Sequence, residues 1–354
     1  MVLPLLGLFT ALAADPAVLF LGNSYIFTGN LNVVTADLLR AGQADLAELD
    51  ELRLAQAGYR FADHLAKADG TEGDTDWRAA LVTGSTSWNW VILQDQSQIP
   101  GFSASNPEYR QSLESAVALD DLIEAKGAAT VLLLTWGRRD GDATNPERFP
   151  DFATMEAYLE EGYRGYQEAI ATAERPVDIA PAGPAFALVY AADEAAGRDP
   201  RADGSVFRGL YVEDGSHPSL TGTWLAGYVL YGTLTQASPV GLPGPPGVET
   251  EVVELLQEAA RAAVFDGEWV PAGSTGETDT DPPDTGSPGG DSAAPDDTST
   301  VDGPKAEAEA EAEASGGLSD TEKGGCGCAS VGPGSALPLA GLWVALLCRR
   351  RRQT

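Results

Sequence analysis

The chain has 354 residues, 53 of them acidic and 22 basic, for a formal net charge of −31 at neutral pH. That balance excludes nucleic acid as a partner, because a phosphate backbone must be neutralised by Lys and Arg. Its plain reading is the solubility of an exported protein, and the length fits one large α/β domain with appendages or two small domains.

Residues 1–14 are a short apolar run ending in an Ala-x-Ala pattern, which predicts a secretory signal peptide cleaved near Ala13 or Ala14. Next, 16–21 is a continuous apolar run of the kind found in strands buried on both faces. It ends at Gly22-Asn23-Ser24-Tyr25, and a helix is expected over 31–41. A second strand at 52–56 closes at Ala57-Gly58, followed by a short amphipathic helix at 61–68 that carries His64. A third strand, 88–93, runs into Gln94-Asp-Gln-Ser-Gln98. A helix at 107–125 precedes a fourth strand at 129–135; a helix at 152–173 leads to a fifth at 177–181. Residues 206–218 read as a loop, and helices at 220–234 and 250–263 close the domain. Strands alternating with helices predict a three-layer α/β/α fold around a five-stranded, mostly parallel sheet. The polar clusters at 22–25, 56–58, 94–98 and 136–140 all follow strands, so they are expected to converge beyond the carboxyl edge.

Composition divides the chain into a signal peptide (1–14), a domain (15–270), an acidic linker (271–323) and a C-terminal signal (324–354). Residues 273–323 hold fourteen acidic residues and two lysines among Gly, Ser, Thr, Pro and Ala, and bury too little apolar area to offset ordering entropy. A disordered tether is expected there. The tail runs Gly324-Gly-Cys-Gly-Cys328, an apolar segment at 336–348, then four arginines at 349–352. Thirteen apolar residues fall short of the roughly 20 a spanning helix needs. The arginines would sit on the cytoplasmic side and the body outside.

His64 and His217 are the only two histidines. A neutral-pH imidazole base is therefore almost forced, and His217 has Asp214 three residues before it in Asp214-Gly-Ser-His217-Pro218. A carboxylate at that spacing on a tight loop can hold Nδ1–H and stabilise the imidazolium. Ser24, just after the first strand, is the candidate nucleophile, in the order Ser…Asp…His. A rival arrangement uses His64 as the base; otherwise His64 lines the cleft edge or packs structurally. Cys326, Cys328 and Cys348 all lie near the C-terminus, so the body has neither a disulfide nor a set of metal ligands, and no cofactor is expected.

Over residues 18–234 the chain resembles the SGNH hydrolase (GDSL-like esterase) superfamily, in particular a subfamily of undefined function with a Gly-Asn-Ser first block. Phe20-Leu-Gly-Asn-Ser24 stands at the first block, and Asp214-Gly-Ser-His217-Pro218 at the last, the more specific of the two. The resemblance implies a flavodoxin-like sheet, catalytic Ser24, Asp214 and His217, and an oxyanion hole from Ser24, Gly58 and Gln96, with Gln94 the less favoured donor. Asn23 replaces the usual Asp, and Gln96 the usual Asn. Asn23, Gln94, Trp136 and Arg138 are candidates for substrate contact; for the loop carrying Arg138, Arg139 and Asp140 a solvated surface is equally compatible. Trp88 and Trp90 fit either a sugar-stacking surface or the core. The tail resembles the myxobacterial MYXO-CTERM sorting signal, which implies a sorting protease and cell-surface attachment; a plain membrane anchor is the alternative.

The expectation is an exported, surface-tethered serine esterase acting on a small-molecule or glycan ester, with acetyl groups on glycans as one substrate. The alternative is a degraded hydrolase scaffold serving as a glycan-binding or adhesive module.

Overall fold

The computed structural model describes residues 15–267. All of them lie in the first of two units into which the chain divides, Met1–Glu311; the second, Ala312–Thr354, is outside the described residues. Five strands, β1 (Ala17–Gly22), β2 (Asp50–Ala55), β3 (Trp90–Leu93), β4 (Ala129–Leu134) and β5 (Asp178–Pro181), pair in parallel in the order β2-β1-β3-β4-β5. The helices are α1 (Ser24–Phe27), α2 (Leu31–Gly42), α3 (Phe61–Ala68), α4 (Asp76–Arg78), α5 (Pro107–Ala125), α6 (Phe152–Ile170), α7 (Ala182–Ala195), α8 (Leu220–Thr235) and α9 (Thr250–Phe265).

Side chains of the inner strands alternate between two apolar layers, as the two-residue strand period requires. Val18, Phe20, Ile92, Val131 and Leu133 join the layer covered by α2, α7, α8 and α9. Leu19, Leu21, Val91, Leu93, Leu132 and Leu134 join the layer covered by α3, α4, α5 and α6. All six residues of β1 are buried, and each large side chain there contributes about 1.5–3 kcal/mol. Twelve of the sixteen residues of α8 are buried, because it is wedged against both α2 and α9; a helix so placed is apolar all round.

β1 is flanked by β2 and β3, so successive crossovers leave it in opposite directions. This is the flavodoxin-like order, in which ligands bind beyond the carboxyl ends at the switch point between β1 and β3. The α/β/α architecture expected from the sequence is the observed one.

Several boundaries differ. β3 starts at Trp90 rather than 88: Trp88 precedes the strand and donates its indole N–H to Ala80 O at 3.0 Å. Trp88 is buried in one apolar layer, and Trp90, partly buried, packs against the other. The helix expected at 152–173 stops at Ile170. α7 is absent from the sequence reading because Gly183 and Pro184 look like breakers. Pro184 falls in the first turn, where its missing N–H has no intrahelical acceptor to lose.

Among the described residues no helix is long and apolar enough to cross a membrane. The expected signal peptide, acidic linker, C-terminal signal and last three residues of the expected domain lie outside the described residues.

Candidate active site

β1 delivers its carboxyl end directly into α1. Asn23 caps that helix, its Oδ1 accepting the N–H of Tyr25 at 3.1 Å. Its Nδ2 donates to Tyr59 O at 3.1 Å and Asp95 O at 3.3 Å, so one side chain ties the loop after β1 to those after β2 and β3. Asn does here what Asp could not, since both partners are carbonyl oxygens. Ser24 follows, 3% exposed.

The loop before α8 is organised by Asp214. Its Oδ1 accepts the backbone N–H of Ser216 at 2.8 Å and of His217 at 2.9 Å, which leaves Oδ2 facing the imidazole. Gly215 turns the chain at φ +71°, a left-handed conformation that favours glycine. Val212 N–H donates to His217 O at 3.0 Å, closing the loop, and Ser219 caps α8 two residues later.

Two loops 193 residues apart thereby meet. His217 Nε2 lies 2.8 Å from Ser24 Oγ, and His217 Nδ1 lies 2.7 Å from Asp214 Oδ2. The His217 side chain is 14% exposed and that of Asp214 48%. Burial alone would raise the Asp214 carboxyl, but the N–H of Ser216 and the ring and backbone N–H of His217 outweigh it and hold the group below the usual carboxylate range. A hydroxyl on an imidazole on a carboxylate can move one proton away from oxygen and return it.

His64 is elsewhere. It is fully buried, its Nδ1 accepts the Trp77 indole N–H at 2.8 Å, and burial pushes its pKa down to about 4. It is a neutral core histidine.

Gly58 sits at φ +67° in an exposed turn after β2, where a Cβ would meet nothing within 4 Å; the backbone conformation alone asks for glycine. Gln94 is fully buried: its Oε1 accepts Asn23 N–H at 2.9 Å and its Nε2 donates to Asp95 O. Gln96 is half-buried; its Oε1 accepts the N–H groups of Gln98 at 2.7 Å and Ile99 at 3.3 Å, while its Nε2 makes a long 3.3 Å bond to Gln98 Oε1.

The residues expected to contact substrate, Asn23, Gln94, Trp136 and Arg138, are all bonded within the protein. Trp136 and Gln94 are fully buried, and Asn23 is 3% exposed with its side chain bonded to other loops. Arg138 is turned inward, bonding Asp142 at 2.9 Å and Ser97 at 3.2 Å. Arg139 is buried too; its N–H donates to Gly215 O at 2.8 Å, bracing the Asp214 loop.

Sequence reasoning gave Asp95 no role. It is fully buried: Oδ1 accepts the N–H of Phe61 at 3.1 Å and Gln96 at 2.8 Å; Oδ2 accepts Tyr166 Oη at 3.0 Å and the Ser112 hydroxyl. Burial raises its pKa and these four donors oppose the rise. Within the polar run Gln94-Asp-Gln-Ser-Gln98 no sequence signal sets it apart. Among the described residues no group of three or more His, Cys, Asp or Glu could hold a metal ion.

No known protein family matches the chain, and no curated protein matches it. Solved structures do. The chain is similar to a protein of the DUF4886 family from Bacteroides uniformis, with 16% identity, 73% of this chain and 98% of that one covered, and a TM-score of 0.54. The likeness is one of fold. It is also similar to a candidate SGNH hydrolase from Slackia heliotrinireducens (25% identity; 62% and 99% covered; TM-score 0.45). A third similar structure is the acetyl xylan esterase AlAXEase (10% identity; 61% and 98% covered; TM-score 0.42).

Proposed function

We propose that this chain is a serine hydrolase of the SGNH superfamily that cleaves acyl esters. The observation that carries the reading is the continuous line from Ser24 Oγ to His217 Nε2 at 2.8 Å and from His217 Nδ1 to Asp214 at 2.7 Å. Ser24 Oγ attacks the acyl carbonyl while His217 Nε2 takes its proton, and the carbonyl electrons move onto oxygen. Collapse expels the alkoxide, which leaves as the alcohol with the proton from His217. Water then attacks the acyl-Ser24 ester with His217 again as base. The acid departs and Ser24 regains its proton. Asp214 keeps Nδ1–H fixed throughout.

The oxyanion is held by the backbone N–H groups of Ser24 and Gly58 and by the side chain of Gln96. Gln96 is preferred over Gln94 because it is the less buried and its donated bond is long. The rest of the reading follows from the ends of the chain: export by residues 1–14, and attachment outside the cytoplasm by 324–354 after action of a sorting protease. Acetylated glycans at the cell surface are the substrate class that location favours.

The test is turnover of a short acyl ester by the full chain. Ser24→Ala and His217→Ala should each reduce kcat by several powers of ten; persistence of turnover in either would contradict the reading. A second reading, a non-catalytic glycan-binding module, is favoured by one observation: the Gln96 amide is already engaged within its own loop. Glycan binding without ester turnover would select it.

A further inference from the structure

The residue after the nucleophile and the residue before the base are joined to each other. Tyr25 Oη lies 2.7 Å from Ser216 Oγ, alongside the 2.8 Å contact between Ser24 and His217. Two side-by-side bonds therefore join the two loops, and the one between Tyr25 and Ser216 involves no reacting group. Tyr25 itself is held flat: its ring stacks on Trp136 at 4.9 Å and 3°, and Trp136 stacks in turn on Phe186 at 4.5 Å and 5°. Trp136 also donates its indole N–H to Ser216 O at 3.1 Å. Ser216 is thus gripped by both hydroxyl and carbonyl, and Tyr25 meets the His217 ring edge-on at 5.5 Å and 70°.

We propose that Tyr25 and Ser216 are positioning residues: their hydroxyl–hydroxyl bond, seated on buried Trp136, sets the distance and angle at which the His217 imidazole faces Ser24. The physical reason is leverage. Asp214 fixes the imidazole about one ring nitrogen, but its side chain is half exposed and belongs to the same loop as His217, so the two move together. Only a bond that crosses to the Ser24 loop fixes that loop relative to His217, and the Tyr25–Ser216 bond does so one residue from each reacting group. This inference rests on the hydrolase reading for its kinetic arm and is independent of it for its spectroscopic arm.

Tyr25→Phe keeps the stack on Trp136 and removes only the hydroxyl; Ser216→Ala removes the other. In the full chain each should lower kcat for a short acyl ester by about 10- to 100-fold with KM nearly unchanged, the scale expected when a reacting group is displaced by a fraction of its reach. The double variant should lose little more than either single one, because both substitutions delete one bond. Ser216→Thr, which restores a hydroxyl, should recover most of the loss. With only two histidines in the chain, the His217 Nδ1–H resonance is separable from the ring N–H resonance of His64 by comparison with His64→Gln. It should broaden or shift in both single variants. Unchanged kcat and an unchanged His217 resonance would overturn the proposal, as would full additivity of the two losses. If the native chain turns over no ester while both variants still disturb the resonance, the positioning role stands and the hydrolase reading fails.

Discussion

The backbone N–H of Asn23 donates to Gln94 Oε1 at 2.9 Å, joining the end of β1 to the end of β3 one residue ahead of Ser24. The same oxygen closes the space over Gly22, where a Cβ would come within 2.4 Å of Gln94 Oε1 and 2.5 Å of Ile26 Cδ1. Gly22→Ala therefore forces either Gln94 or α1 to move. It should cost about 1–3 kcal/mol of stability, the usual range for overpacking, and slow any reaction at Ser24. Equilibrium unfolding in urea measures the first effect; an unchanged midpoint would show that the strand end has slack.

Asn23→Asp tests the loop junction from its other side. The carboxylate can still cap α1, but it faces the carbonyls of Tyr59 and Asp95 with no hydrogen to offer. Two lost donations in a buried place should cost about 1–3 kcal/mol or more. The unfolding free energy of the variant against the native chain decides it.

His64 gives the stability a sign with pH. Its folded pKa, about 4, lies below the ordinary 6.5 because burial disfavours the cation. The unfolded chain therefore binds more protons between those values, so this contribution is complete above about 6.5 and is lost as pH falls toward 4. The loss is roughly 3 kcal/mol at most, since each tenfold weakening of proton binding corresponds to about 1.4 kcal/mol. In His64→Gln, which can still accept from Trp77, the slope of stability against pH over this window should flatten, and ester turnover should survive.

Glu156 has the opposite slope. Burial pushes its carboxyl up to about 8, and Oε2 accepts the Gly137 N–H at 2.8 Å. The folded state holds the proton that the unfolded chain releases near pH 4.5, so stability from the neutral acid is full below that value and is lost as pH rises toward 8. Glu156→Gln keeps an acceptor for Gly137. It should exceed the native chain in stability at about pH 8 by more than at about pH 5; a constant difference would mean that Glu156 does not titrate there.

The sheet was legible because its inner strands are short apolar runs ending in polar clusters, and strands buried on both faces leave little else for such runs to be. Ser24, Asp214 and His217 were legible as candidates because one of only two histidines has a carboxylate three residues before it on a tight Gly-containing loop, in Asp214-Gly-Ser-His217-Pro218. What escaped was contact between residues far apart in the chain. Trp136 follows a strand and looks available to a ligand, yet it is sealed between Tyr25 and Phe186. Asp95 reads as one polar residue in a polar run, and only the approach of Ser112 and Tyr166 from α5 and α6 makes it the anchor of the loop after β3. α7 escaped for a local reason: Pro184 signals a break unless the helix start is already known.

The central claim is that Ser24 is made nucleophilic by His217. Incubating the full chain with a fluorophosphonate and mapping the adduct by mass spectrometry tests it most directly. The expected result is a single phosphonylated residue, Ser24, with labelling abolished in Ser24→Ala and strongly slowed in His217→Ala. An unlabelled Ser24 in folded protein, or labelling that is indifferent to His217, would contradict it.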